Sequence, residues 1–313
     1  MTPMSLNIVD TIKMPDSRGS MFDHGAFDPR TRRVFVAHTS CNRLEVVDHD
    51  ARRHIATLPD FPEAAGVVAD AGEVLVTNRG AASLSLVDAS TLQTRAMFDT
   101  GARPNGVAID SRQGLAVVAC IGDKACGPEL DVLTLDGSKR WSIDLPGRPR
   151  WCVTDAVGKS IFLAIREPSI ILTAQLPELD AVRHWILPSG GAHGLDIDHQ
   201  RHLLYVACDG GALIQCDARR GEILRQWPLA GVPDATFFNP ASGLVHVAIG
   251  EPGLVHTVDS RTGASAEFPT ARGAKTTALA APDRLYVFSP DHDGALVLSD
   301  GEDYGDEGPR IFL

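Results

Sequence analysis

"RRVFVAHTSCNRLEVVD" (32–48) and "GEVLVTNRGAASLSLVD" (72–88) are set 40 residues apart and share one plan. Each runs from a β-branched and aliphatic stretch through a polar turn into a second apolar stretch that closes on aspartate. Two short apolar runs joined by turn residues describe a β-hairpin. A hairpin that returns after about 40 residues marks a repeat architecture.

The first run recurs as "LAVVAC" (115–120), "SIFLAI" (160–165), "LLYVAC" (203–208), "LVHVAI" (244–249) and "RLYVFS" (284–289), giving seven copies spaced by 40, 42, 45, 43, 41 and 40 residues. Before most copies lies a run ending in Asp or Asn, such as "HGAFD" (24–28), "GVAID" (106–110) and "GLDID" (194–198). A fourth run then leads into a Gly/Pro loop, as in "TRAMFDTGARPN" (94–105). Four short strands per period, with no helical periodicity, make one blade of a β-propeller.

The expected fold is therefore all-β: a seven-bladed β-propeller of four-stranded antiparallel blades beginning near 24, 66, 106, 151, 194, 235 and 278. The seventh copy supplies three strands, and "IVDTIKMP" (8–15) supplies an orphan fourth. Pairing the two closes the ring and removes both exposed edges, so residues 1–313 form one domain that ends in an acidic tail at 301–313. The third run of blade four, "ILTAQLP", and the turn at Pro282 depart from the repeat.

The period "RPNGVAIDSRQGLAVVAC" (103–120) and its neighbours resemble the YVTN-type (YncE-like) β-propeller repeat family over essentially the whole chain. That resemblance implies seven blades. It implies little about activity, since one fold hosts many functions.

Composition narrows the function classes. With 29 basic against 40 acidic residues the net charge is −11, which opposes binding to a phosphate backbone, so nucleic acid is excluded as a partner. No apolar stretch is long enough for a membrane-spanning helix, and the N-terminal residues carry no secretory pattern. A cytoplasmic location is expected, or a periplasmic one if a leader has been removed. The six cysteines have no zinc-knuckle or CxxC spacing and are expected to be free thiols.

In a propeller, the start of each inner strand and the end of each second strand reach the same face. That mouth collects unlike polar residues, whereas the opposite face receives ordinary turns such as "DSRQG" and "NPASG". An asymmetric small ligand requires such variety. His193, in the glycine-rich setting "GGAHG" (190–194), and Asp234 are the candidate catalytic acid/base pair. Arg150 and Trp151 in "GRPRWC" (147–152), with Arg148 and Arg103 nearby, form an arc suited to a carboxylate or phosphate. Asn105, Asp209, Glu251 and Lys275 complete the candidate ligand-binding set. His24, His193 and His38 are the candidate ligands of one divalent metal.

No GxSxG, P-loop or dinucleotide motif is present. The expected function is a polar ligand site at one channel mouth that binds a small anionic molecule and hydrolyses it in a lactonase-like reaction, with or without metal. A binding propeller without turnover is the alternative. A protein-interaction scaffold ranks last, because the outer loops lack apolar clusters.

Overall fold

A computed structural model describes residues 6–299 except 156, 158, 281, 283 and 292. Seven sheets of four antiparallel strands are arranged in a ring. The inner strands are Gly25–Asp28, Ala64–Asp70, Pro104–Asp110, Pro149–Asp155, Ala192–Asp198, Pro233–Asn239 and Thr276–Ala280. Most begin about two residues earlier than the repeat suggested, which draws Asn105, Arg150, His193 and Asp234 into the strands.

The ring closes as the repeat count requires. Asn7–Lys13 pairs antiparallel with Gly294–Ser299, from Asn7 opposite Ser299 to Lys13 opposite Gly294. The acidic tail and His292 lie outside the described residues. Blade four keeps its third strand, Ile170–Gln175, despite lacking the closing aspartate.

The sequence forms blades because its second and third strands are apolar on both faces. Val34, Phe35, Val36 and Ala37 are all fully buried, as are Leu44, Val46 and Val47 on the strand beside them. Such runs suit strands sandwiched between neighbouring sheets, and each fully buried Val, Leu or Phe contributes about 1.5–3 kcal/mol. Fourth strands meet solvent on one face and alternate accordingly, as in Arg140–Asp144 and Ser265–Pro269. The closing aspartates cap tight turns: Asp88 accepts the amides of Ser90 and Thr91, and Asp217 those of Arg219 and Arg220.

Inner strands approach one another closely at glycines. A Cβ on Gly66, Gly106 or Gly194 would overlap the backbone carbonyl of Asn105, Arg150 or Asp234, respectively, on the next blade. Each glycine thus lets a neighbour's mouth residue sit close to the channel axis.

Candidate functional site

The mouth is assembled by a backbone bond that repeats from blade to blade. In blades two to five the residue after the second strand donates its N–H to the residue before the inner strand of the same blade: Arg79 to Glu63 at 3.3 Å, Ile121 to Arg103 at 3.0 Å, Arg166 to Arg148 at 2.8 Å and Asp209 to Gly191 at 2.8 Å. These bonds bring the two sets of positions together, as the antiparallel pairing demands. Arg103 has φ of 55°, a left-handed conformation uncommon for a non-glycine residue and costly enough to be frequent at functional sites.

The result is a cavity of about 200 Å³ lined by Asp23, His24, Arg79, Arg103, Asn105, Ile121, Arg148, Arg150, Trp151, His193, Gly194, Asp234 and Lys275. Five of these side chains are cationic and two are carboxylates, in a chain whose net charge is −11. Both carboxylates are already engaged. Asp23 bonds His24 Nδ1 at 2.6 Å and also Arg79, which in turn bonds Asn105. Asp234 lies 3.2 Å from Lys275 Nζ and 3.5 Å from His193 Nε2.

His193 sits between two carboxylates. Its Nδ1 is 2.7 Å from Asp209 Oδ1, while the other Asp209 oxygen accepts Arg166 Nε at 2.7 Å. Burial would favour the neutral ring, but Asp209 and Asp234 outweigh it and raise the His193 pKa. Burial likewise opposes ionisation of Asp209 and Asp234; the histidine nevertheless holds both below the ordinary carboxylate range, helped by Arg166 at Asp209 and by Lys275 at Asp234. Burial works against the Asp23 carboxylate too, yet His24 and Arg79 drive its pKa far down. Behind these groups, His24 stacks on Trp151 with ring centroids 3.8 Å apart and planes within 3°.

The arginine arc is the opposite case. The side chains of Arg103, Arg148 and Arg150 make no hydrogen bond or ion pair with a described residue, and Arg150 Nε is buried without a partner. Burial, with Arg166, Arg103 and Arg79 as like charges, lowers the Arg148 pKa; burial and Arg148 do the same to Arg150. Asp209 offsets part of this repulsion at Arg148, and Asp234 and Asp209 part of it at Arg150.

Most of the sequence-derived candidates meet here. His24, Asn105, Arg150, Trp151, His193, Asp234 and Lys275 line the cavity, and Asp209 supports His193 from behind. Two candidates lie elsewhere. His38 is fully buried inside blade one, stacked on Phe22 and bonded to Glu45 at 2.9 Å. Glu251 turns to solvent, where Arg272 holds both its oxygens at 2.6 and 3.0 Å. Asp23, Arg79 and Arg166 all fall at mouth positions in the repeat, but the sequence assigns none of them a role. Their role lies in pairs that join blades, which a single sequence does not display.

Of the three candidate metal ligands, His24 and His193 line the cavity and His38 lies apart from it. His24 and His193 each turn Nδ1 to a carboxylate, which orients the ring and leaves Nε2 toward the cavity side. The surrounding guanidiniums repel a cation. Among the described residues, no group of three or more His, Cys, Asp or Glu side chains is placed to hold a metal ion.

Fold and site together define a seven-bladed β-propeller with a basic, histidine-bearing channel mouth. Solved structures agree on the fold. The chain is similar to the structure titled Kuenenia stuttgartiensis Hydrazine Synthase (TM-score 0.75, 14% identity, 88% of this chain and 94% of that one). It is also similar to a streptogramin B lyase (TM-score 0.75, 13% identity, 94% and 97%) and to a chain of a mitotic checkpoint complex (TM-score 0.78, 9% identity, 96% and 93%). At such identities the likeness is one of fold alone. No family model matches the chain, and no curated protein matches it in sequence. No helix among the described residues is long and apolar enough to cross a membrane.

Proposed function

We propose that the channel mouth binds a small anionic molecule bearing a carboxylate or phosphate. The observation that carries this reading is the set of three arginines, Arg103, Arg148 and Arg150, that face the cavity without a partner, one of them with a buried and unsatisfied Nε. A buried donor left unmade costs about 1–3 kcal/mol, more when charged. A bidentate anion would satisfy the Arg150 fork and relieve its repulsion by Arg148. We also assign the repeat to the YVTN-type propellers, on the strength of the seven copies and their turn chemistry.

Hydrolysis of a lactone or other ester in the same cavity is a second reading, favoured by the setting of His193. Asp209 on Nδ1 fixes the ring, and Nε2 points toward Asp234 at the cavity. In this reaction the neutral form of His193, populated above its raised pKa, takes a proton from water as the water oxygen adds to the carbonyl carbon. The arginine arc stabilises the oxyanion, the ring C–O bond breaks, and the departing alkoxide recovers the proton from His193. No metal is needed for this balance.

Thermal-shift titration with mono- and dicarboxylates and phosphate monoesters tests the binding, and pH-stat assays of lactones with His193→Asn test the turnover. Stabilisation by at least one anion that disappears in Arg150→Met is the expected outcome. Equal stabilisation of wild type and Arg150→Met would place the anion site elsewhere.

A further inference from the structure

Below the mouth, the channel changes character. A second cavity of about 310 Å³ shares Trp151 with the first and is lined by residues such as Phe27, Val68, Ile109, Phe237 and Leu279. Among the described residues, one carboxyl group faces this apolar space, that of Asp196 on the inner strand of blade five. Other inner strands carry apolar residues or threonine at this depth, with Thr154 turned to the Ile109 carbonyl at 3.0 Å.

Asp196 is half satisfied. Its Oδ1 accepts the Ile197 amide at 2.8 Å and its Oδ2 the Phe238 amide at 2.7 Å. A carboxylate has about four acceptor sites, so two remain toward the cavity. Among the described residues no Lys or Arg lines this cavity and none is bonded to Asp196: the other titratable groups on the lining are the Cys152 thiol and the His199 imidazole, while Tyr205, opposite Asp196 in the sheet, bonds Gln215. A carboxyl so placed is costly to ionise unless a cation joins it.

We infer that the lower channel is a second ligand site, which takes a small organic ammonium ion with a compact apolar body, its nitrogen on Asp196 and its hydrocarbon against the Val, Ile, Phe and Leu wall. The chemistry selects this class. An anion would face a carboxyl group, and a strongly hydrated inorganic cation would find apolar walls. An alkyl or benzyl ammonium fills both requirements, with donors for the two open acceptor sites and an apolar remainder to bury. At about 30 Å³ per water the cavity displaces roughly ten waters, which suits a body of six to nine carbons. Burial lifts the Asp196 pKa to about 7, so below neutrality the protonated carboxyl gives up its proton as the ammonium binds: one carboxylic proton is released for each ion pair formed.

This site is independent of the anion site in the mouth and is tested separately. Isothermal titration of benzylammonium and cyclohexylammonium against benzyl alcohol and cyclohexanol is expected to show the amines binding at least tenfold more tightly. Heats measured at pH 6 in buffers of different ionisation enthalpy are expected to reveal release of close to one proton per amine, falling toward zero at pH 8.5. This measurement needs no variant. Asp196→Asn is expected to lose at least tenfold in amine affinity while retaining the wild-type circular dichroism spectrum and a cooperative melt, which certify its fold. Alcohols binding as well as amines, amine affinity unchanged in Asp196→Asn, absence of proton release at pH 6, or no amine binding up to its solubility would each overturn the inference.

Discussion

Two histidine–carboxylate assemblies in this molecule use the same chemistry to opposite ends. In blade one, His38 Nδ1 and His54 Nε2 grip the two oxygens of Glu45 at 2.9 and 2.8 Å, with the Thr57 hydroxyl as a third donor. At the mouth, His193 lies between Asp209 and Asp234 beside a cavity. The first assembly is sealed: His38 and Glu45 are wholly buried and Glu45 is met by three local donors, although His38 Nε2 is left without a partner among the described residues. The second is open on the side where three arginines have no partner. A histidine paired with a carboxylate is therefore uninformative about function until its surroundings show surplus charge and space.

The comparison breaks most forcefully at Glu45. Removing Glu45 leaves the His38, His54 and Thr57 donors without their acceptor, and each buried donor left unmade costs about 1–3 kcal/mol. Glu45→Ala is expected to lower the urea midpoint by that equivalent while leaving anion binding in the surviving folded fraction intact. A loss below about 1 kcal/mol would show that water reaches this nest.

Arg150→Met gives the reverse pattern. Anion affinity is expected to fall at least tenfold, about 1.4 kcal/mol, measured by titration calorimetry. Stability without ligand is expected to stay level or rise, since the substitution removes a buried charge repelled by Arg148. A marked drop in melting temperature in the absence of anions would instead make Arg150 a structural residue.

Acid and base separate the two assemblies again. Burial alone would raise the Glu45 pKa, but His38, His54 and Thr57 bring it down from 4.5 to about 2. A carboxyl depressed by folding stabilises above its unfolded pKa, and this share is lost as pH falls from about 4.5 toward 2. The His193 pKa is raised above 6.5, so its share is complete below that value and is lost as pH rises through the folded pKa. Stability profiles are expected to lose the acid arm in Glu45→Ala and the arm above neutrality in His193→Asn. Anion binding is expected to weaken over the same upper range as His193 loses its positive charge.

How much of this was legible in the sequence differs between the two assemblies. Seven hairpins at a fixed period define the ring, and antiparallel pairing then sends His24, Arg150, His193 and Asp234 to one mouth without any knowledge of side-chain contacts. His38 was misplaced because "RVFVAH" is buried on both faces, so no alternation tells which way its last side chain turns. The clue was Glu45 in "RLEVVD", an acid within an apolar strand that needs a buried partner. Glu251 was misplaced because it sits two residues beyond its strand, in a turn where the chain has left the channel. Pairs such as Asp23 with Arg79 join separate blades, and one sequence carries no record of which blade faces which.

Lys275 sharpens the comparison at its weakest point. Its ammonium lies 3.2 Å from Asp234, yet half of the side chain is in solvent (51% exposed). Exposed pairs of this kind contribute about 0.2–1 kcal/mol, so Lys275→Gln is expected to change the urea midpoint by no more than that. Its consequence for binding runs through Asp234, which keeps His193 as its remaining cationic neighbour within 4 Å. With Lys275 gone, His193 faces a less neutralised carboxylate, and its pKa is expected to rise further, shifting the decline in anion binding to higher pH by a fraction of a unit. An unshifted profile in Lys275→Gln would mean that Asp209 alone sets the charge of His193, leaving Asp234 free to meet the ligand directly.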